Sequence, residues 1–255
     1  MKALSTAVTI ATVFAGCASI FAQETRDARI HVFASNGVRA LVEELLPRAE
    51  HTIGYRLDVQ FNSTAALKLK IEGGEPFDAA ILTTEAIDEL SQKGRISAAT
   101  RVDLARCGIG VGIRAGSPKP DISTSAALKS ALLQAKSLTY ARDGASSPYL
   151  VKMFERLGIL NQIQPKIVLA QGSAVATASV RDGKAELVLT LISEILPVRG
   201  IELVGPLPSE LQSYVRFAAG VSNNARSRRA AQALIQFFVQ PSVAQIYRDK
   251  GLEPR

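Results

Sequence analysis

The chain has 255 residues, 47% of them hydrophobic and 21% charged, which is enough apolar material for one large core or two modest ones. That balance excludes a disordered chain, a collagen-like chain and a multispanning membrane protein. The net charge of +7 favours anionic partners weakly, but aromatic residues are only 5% and "RSRR" (residues 226–229) is the one basic cluster, so a stacking surface is missing and no nucleic-acid partner is expected.

The N-terminus carries Lys2, then an uncharged run of apolar and small residues through Ala22, and turns abruptly polar at Gln23, Glu24 and Arg26. This is the layout of a secretory signal over residues 1–22 with cleavage after Ala22, which puts the mature protein in the periplasm. Two alternatives stay open: a membrane anchor, since the run is about long enough to span, and a lipoprotein attached at Cys17, since "FAGC" is close to a lipobox. Cleavage after Ala22 leaves Cys107 as the remaining cysteine, so no intramolecular disulfide forms and Cys107 reads as a small buried hydrophobe.

Beyond the signal, strand and helix periods alternate. "IHVFA" (residues 30–34) is a short apolar run, and Val38, Leu41, Val42 and Leu45 follow on one face of a helix. "RLDVQF" (56–61) alternates as a strand; Leu67 and Ile71 mark a helix that stops at Gly73 and Gly74; "FDAAIL" (77–82) reads as a buried strand leading to a helix with Ile87 and Leu90. Three strand-helix units in succession predict a parallel sheet with helices on its faces. A long Gly-punctuated strand within residues 103–121 breaks this rhythm, and a second set of units follows: a helix near 124–135, the strand "SLTYA", a helix near 148–157, the strand "KIVLA", a helix near 174–181 and the strand "ELVLTLI". The Pro- and Gly-rich stretch 196–212 reads as a second crossing, followed by the strand "YVRFAAGVS" and two closing helices. The expected fold is α/β: two parallel-sheet lobes joined by two crossover strands, with a ligand cleft between them. Residues 23–105 form the first part of lobe I, 106–212 lobe II, and 213–255 a return segment belonging mainly to lobe I.

The recurring feature is the strand-to-helix turn. Small hydroxyl, amide or glycine residues occupy it at Ser35-Asn36-Gly37, Asn62-Ser63-Thr64, Thr83-Thr84, Asp143-Gly144-Ala145-Ser146-Ser147 and Gly172-Ser173. Helix capping accounts for each turn taken singly, and Ser146-Ser147-Pro148 reads as a Ser cap with Pro at the first helical position. In an open parallel sheet, however, all such turns share the carboxyl edge, where these folds bind ligands. Helix starts there offer free N–H donors and a partial positive charge, so the expected guest is a small anion.

The segments "FASNG", "FNSTAALKLKIEGGEPFDAAILT", "RDGASSPYLVKMFERLGI" and "QGSAVATASVRDGKAELVL" resemble, in this order, the periplasmic solute-binding proteins of ABC importers. They are most similar to the molybdate-binding-protein-like group, which has the type II periplasmic-binding fold. The resemblance implies capture of molybdate or a similar tetrahedral oxyanion, delivery to an ABC permease with its ATPase, a monomeric binding protein, and no cofactor or bound metal beyond the oxyanion. It implies ligand contacts at Ser35, at Ser63 or Thr64, along Gly144, Ala145, Ser146 and Ser147, and at the helix start Ala174-Val175; Asn36, Thr83, Arg142 and Ser193 complete the candidate set. Three departures stand out. "LTLISEI" lacks the Tyr usual after the last strand of lobe II, the first turn carries Asn36, and Arg142 adjoins the Asp143–Ser147 turn. Because a carboxylate matches a bidentate Arg, a small organic acid is the alternative ligand.

Signs of catalysis are scarce. His31 lies inside the first strand and His51 near the end of the first helix, away from the turns; "GASSP" lacks the G-x-S-x-G pattern; and "GIGVG" sits in a strand rather than opening a helix. Asp78 reads as a brace of the sheet. A receptor is therefore expected rather than an enzyme, with a secreted enzyme on the same fold as the lesser alternative.

Overall fold

In the computed structural model, which describes residues 29–255, strands and helices alternate as the periodicity predicts. The signal-like segment with Cys17 and Ala22 lies outside the described residues. Strand β1 (Arg29–Ser35) passes through a 3-10 turn (Asn36–Val38) into helix α1 (Arg39–Ile53), β2 (Arg56–Asn62) into α2 (Thr64–Glu72), and β3 (Ala79–Thr83) into α3 (Thr84–Gln92). The long β4 (Val102–Arg114) leads to α4 (Ser125–Gln134), β5 (Leu138–Ala141), α5 (Ser147–Arg156), the single turn α6 (Leu160–Ile163) and β6 (Ile167–Ala170). Then come α7 (Ser173–Arg181), β7 (Leu187–Leu191), the single turn α8 (Ile192–Ile195), β8 (Ile201–Pro206) and β9 (Tyr214–Val221). Helices α9 (Arg228–Phe238) and α10 (Ala244–Asp249) and the two-residue β10 (Glu253–Pro254) close the chain.

The strand order is β2-β1-β3-β9-β4-β7-β5-β6, with β8 and β10 also on β4. β1 pairs in parallel with β2 and β3, and β5 in parallel with β6 and β7; these two groups are the lobes. The sheet is mixed rather than parallel throughout, because β9 runs antiparallel to β3 and β4, and β4 antiparallel to β7. β4 belongs to both lobes: it pairs with β9 up to Gly108 and with β7 from Ile109 onward. Where β9 begins, the Gln212 side chain completes the ladder. Ile109 N–H donates to Gln212 Oε1 at 2.9 Å, and Gln212 Nε2 donates to the Ile109 carbonyl at 3.0 Å, so both backbone groups stay satisfied at the change of partner.

The Pro- and Gly-rich stretch 196–212, read as the second extended crossing, contains β8, antiparallel to β4. Gly205 and Pro206 hide it from a propensity reading, but Pro is tolerated because β8 is an edge strand with one partner.

Alternation assigns each central strand to two apolar layers. Ile30, Val32 and Ala34 of β1 join the main core with Leu41, Val42 and Leu45 of α1, whereas Phe33 faces the layer of Leu67, Ile71, Ile87 and Leu90. β7 divides likewise: Leu187, Leu189 and Leu191 go one way and Val188 the other. Strands buried on both faces read as continuous apolar runs, which is why "AAIL" and "LVLTL" are unambiguous in the sequence. Among the described residues no helix is long and apolar enough to cross a membrane.

Candidate functional site

The donor-rich turns sit at the carboxyl ends of β1, β2, β3, β5 and β6, on the edge where the two lobes face each other. Ser35 closes β1, and its Oγ accepts from Gly37 N–H at 3.4 Å. Ser63 caps α2 in the same manner, accepting from Ala66 N–H at 3.3 Å. A capping hydroxyl that accepts an N–H keeps its own proton to give, so capping and anion binding are compatible roles for one serine. Thr64 Oγ1 accepts from Thr83 N–H at 3.4 Å and ties the second turn to the third.

Two expectations at these turns need correction. Ser146 precedes α5 but makes no capping bond, and Pro148 is the second helical residue rather than the first; the buried Ser147 hydroxyl donates instead to the Ala141 carbonyl. Ser193 is also buried and its hydroxyl donates to the Gly37 carbonyl at 2.7 Å, so it links the lobes and has no proton free for a ligand. Cys107 lies beside it with Sγ 3.4 Å from Ser193 Oγ, and burial pushes its thiol up to about 11, the behaviour of an inert core cysteine.

Among the described residues, a larger and a smaller cavity open between the lobes. The larger, about 720 Å³, is lined by Thr64, Thr83, Arg142, Gly144, Ala145 and Ser147 of the candidate set. Tyr140, Tyr149 and Lys152 share its wall, as do the acidic Glu85 and Asp143. Arg142 and Lys152 are both exposed and neither forms an ion pair among the described residues. The smaller, about 320 Å³, is lined by Asn36, Ala174 and Ser193 of the set, together with Arg39, Ser173 and Glu194. Ser35, Ser63, Ser146 and Val175 line neither cavity.

Arg39, Lys152 and Glu194 escape a reading of the turns alone. Arg39 carries one overlooked signal: a cation in the first turn of a helix opposes the helix dipole, which is a reason to look for an anion nearby. Glu194 is the most unusual group. Its residue is partly accessible from the cavity, yet the carboxyl is enclosed, with Ser173 Oγ donating to Oε1 at 2.8 Å and Thr190 Oγ1 donating to Oε2. Burial raises its proton affinity above the ordinary carboxylate range, the two hydroxyls oppose that shift, and the charge of Asp143 adds to it.

The family model of bacterial extracellular solute-binding proteins matches residues 30–253. The chain belongs to that family. Among relatives of this solute-binding protein, a Pseudomonas protein named aconitate isomerase is 30% identical over 229 residues, covering 88% of this chain and 87% of its own. A molybdate-binding protein of Escherichia coli strain K12 is 23% identical over 251 residues, covering 94% and 96%. The solved periplasmic molybdate-binding protein of Azotobacter vinelandii superposes with a TM-score of 0.73 at 15% identity, covering 88% of this chain and 98% of its own, and shows the shared bilobed fold.

Two outcomes follow for this solute-binding protein. A Cβ added at Gly37 would lie 2.5 Å from Phe217 Cζ and 2.9 Å from Leu191 Cδ1, so Gly37→Ala forces these two buried side chains to repack around the first turn. Urea denaturation is expected to show a loss of about 1–3 kcal/mol, the usual cost of overpacking. For Glu194 the raised carboxyl sets the sign. In acid, folded and unfolded chains both hold the proton; as pH rises the unfolded carboxyl ionises first, and stability falls until the folded carboxyl ionises too. Glu194→Gln is therefore expected to gain on the wild type as pH climbs through and above the ordinary carboxylate range, then to hold a constant margin in melting temperature.

Proposed function

We propose that this solute-binding protein captures a small organic anion bearing two or more carboxylates between its lobes. It acts in the periplasm as a monomer and delivers the anion to an ABC permease with its ATPase. The observation that supports this ligand class is the unpaired pair Arg142 and Lys152 on the larger cavity. A guanidinium matches a carboxylate through two parallel hydrogen bonds, and the hydroxyls of the second and third turns complete a donor set. The cavity's volume of about 720 Å³ falls in the range of about 300–1,000 Å³ of small-molecule sites, and a bare tetrahedral oxyanion leaves most of it to water. In addition, the α7 start that an oxyanion would use already faces the Glu194 carboxyl through Ser173.

Calorimetry and thermal melting of the mature protein against citrate, aconitate, succinate, molybdate, tungstate and sulfate test the reading. A polycarboxylate at a hundred times its dissociation constant is expected to add about 2.7 kcal/mol of stability. If only the oxyanions bind, the ligand class is wrong. A second reading, an enzyme acting on the same kind of anion, is favoured by the relative named aconitate isomerase, whose named substrate is itself a tricarboxylate. Product formation separates enzyme from receptor.

A further inference from the structure

Residues two apart along a strand point to the same face, so Tyr140 of β5 shares its face with position 142. The ladder continues that far, because the Arg142 N–H donates to the Ala170 carbonyl at 2.9 Å. Both side chains line the larger cavity. Tyr140 is 7% exposed, and its ring rests against the fully buried Phe154 of α5 with centroids 6.1 Å apart, which fixes where the phenol points. A tyrosine this deep ordinarily gives its hydroxyl a partner. Among the described residues no group bonds to the Tyr140 hydroxyl, and burial alone raises its proton affinity. Nor is the oxygen sealed in, since among the described residues the Thr84 hydroxyl alone is both enclosed and unpartnered. The phenol therefore ends at the cavity with a proton to give, and burial keeps that proton in place.

We propose that the Tyr140 hydroxyl is a ligand-binding group: it donates to the carboxylate that Arg142 grips, and the two together seat one end of the ligand on lobe II. This rests on the polycarboxylate reading. A carboxylate offers about four lone-pair sites. The guanidinium takes two of them through parallel bonds, and the phenol takes a third from the same face of the strand. Lys152 is a flexible charged arm that attracts any anion, whereas a phenol held by its ring is a neutral donor with one direction. It therefore contributes selectivity by the position of the acceptor. A primary amide in place of that carboxylate has one acceptor oxygen and turns an NH₂ towards the other donor, so the pair selects for the ionised acid.

The test is calorimetry of the mature protein with citrate, tricarballylate and succinate, comparing the wild type with Tyr140→Phe, which deletes one oxygen and keeps the ring against Phe154. Tyr140→Phe is expected to weaken the tightest-binding probe by about 10- to 100-fold. The melting temperature without ligand is expected to stay where it is, because no protein group loses a partner. The loss of affinity is expected to persist in high salt, since the donor is neutral, whereas the loss in Lys152→Ala fades. In an Arg142→Ala background, where the shared grip is already broken, Tyr140→Phe is expected to cost less than it does alone. Failure of the wild type to bind any of the three probes defeats the polycarboxylate reading, and the role of Tyr140 with it. Wild-type binding that Tyr140→Phe leaves unchanged, or a loss accompanied by an equal fall in unliganded stability, overturns the role of Tyr140 and leaves the polycarboxylate reading intact. Fully additive losses in the double variant overturn the shared carboxylate.

Discussion

Replacing Asp78 with alanine is expected to lower stability by about 3–6 kcal/mol, on the order of half of what a domain of ordinary stability possesses. Asp78 is 1% exposed, and its carboxylate collects three backbone donors from distant parts of the chain. Oδ2 accepts from His31 N–H at 3.0 Å, and Oδ1 from Arg226 N–H at 2.7 Å and Ser227 N–H at 3.1 Å. Ser227 directly precedes α9 and makes no cap with its own side chain, so Asp78 supplies the cap across 149 positions of sequence while holding β1 in register. Each hydrogen bond to a charged acceptor contributes about 1.5–3 kcal/mol, and truncation strands three N–H groups without a partner. The melting temperature is expected to fall by roughly 10 °C. Asp78→Asn, which keeps one carbonyl acceptor, falls by less. An alanine variant that melts with the wild type would show that the brace is dispensable.

The fold was legible wherever burial on both faces left a single period in the sequence. Leu41, Val42 and Leu45 are each 1% exposed, as their spacing predicts for the inner face of α1, and Val38, equally buried, sits in the 3-10 turn just ahead of that helix. What escaped was decided by partners rather than by local pattern. β8 is a strand because β4 offers an edge to pair with, despite its own Gly and Pro, and β9 makes the sheet mixed by entering between β3 and β4. The candidate site divides in the same way. The turns announce themselves through Ser, Thr and Gly, because capping is local chemistry. Which of their hydroxyls remain free is not local: Ser193 and Ser63 look alike in sequence, yet Ser193 is spent on the Gly37 carbonyl from another part of the chain. Lys152 and Glu194 lie on helices like any charged surface residue, and only the facing of the lobes puts them on cavities.

Arg142→Ala is expected to weaken binding of a polycarboxylate by about 1.5–3 kcal/mol, or roughly 10- to 100-fold in dissociation constant, as read by calorimetry. The Arg142 backbone N–H already donates to the Ala170 carbonyl at 2.9 Å, so β5 and β6 anchor the residue while its exposed side chain faces the cavity without an acidic partner. Removing it therefore deletes a ligand contact without unpairing a buried group, and stability is expected to change little. Arg142→Lys is not expected to restore affinity, because an ammonium is a point charge that cannot form two parallel bonds. Lys152→Ala is expected to cost less than Arg142→Ala and to lose most of its effect in high salt, as suits a single exposed charge. These responses separate the two ligand classes that the fold can serve. An oxyanion held by the neutral donors of the turns is indifferent to Arg142, whereas a polycarboxylate loses one of its grips. Affinity that survives Arg142→Ala unchanged would move the ligand out of the larger cavity and towards the serine-capped helix starts.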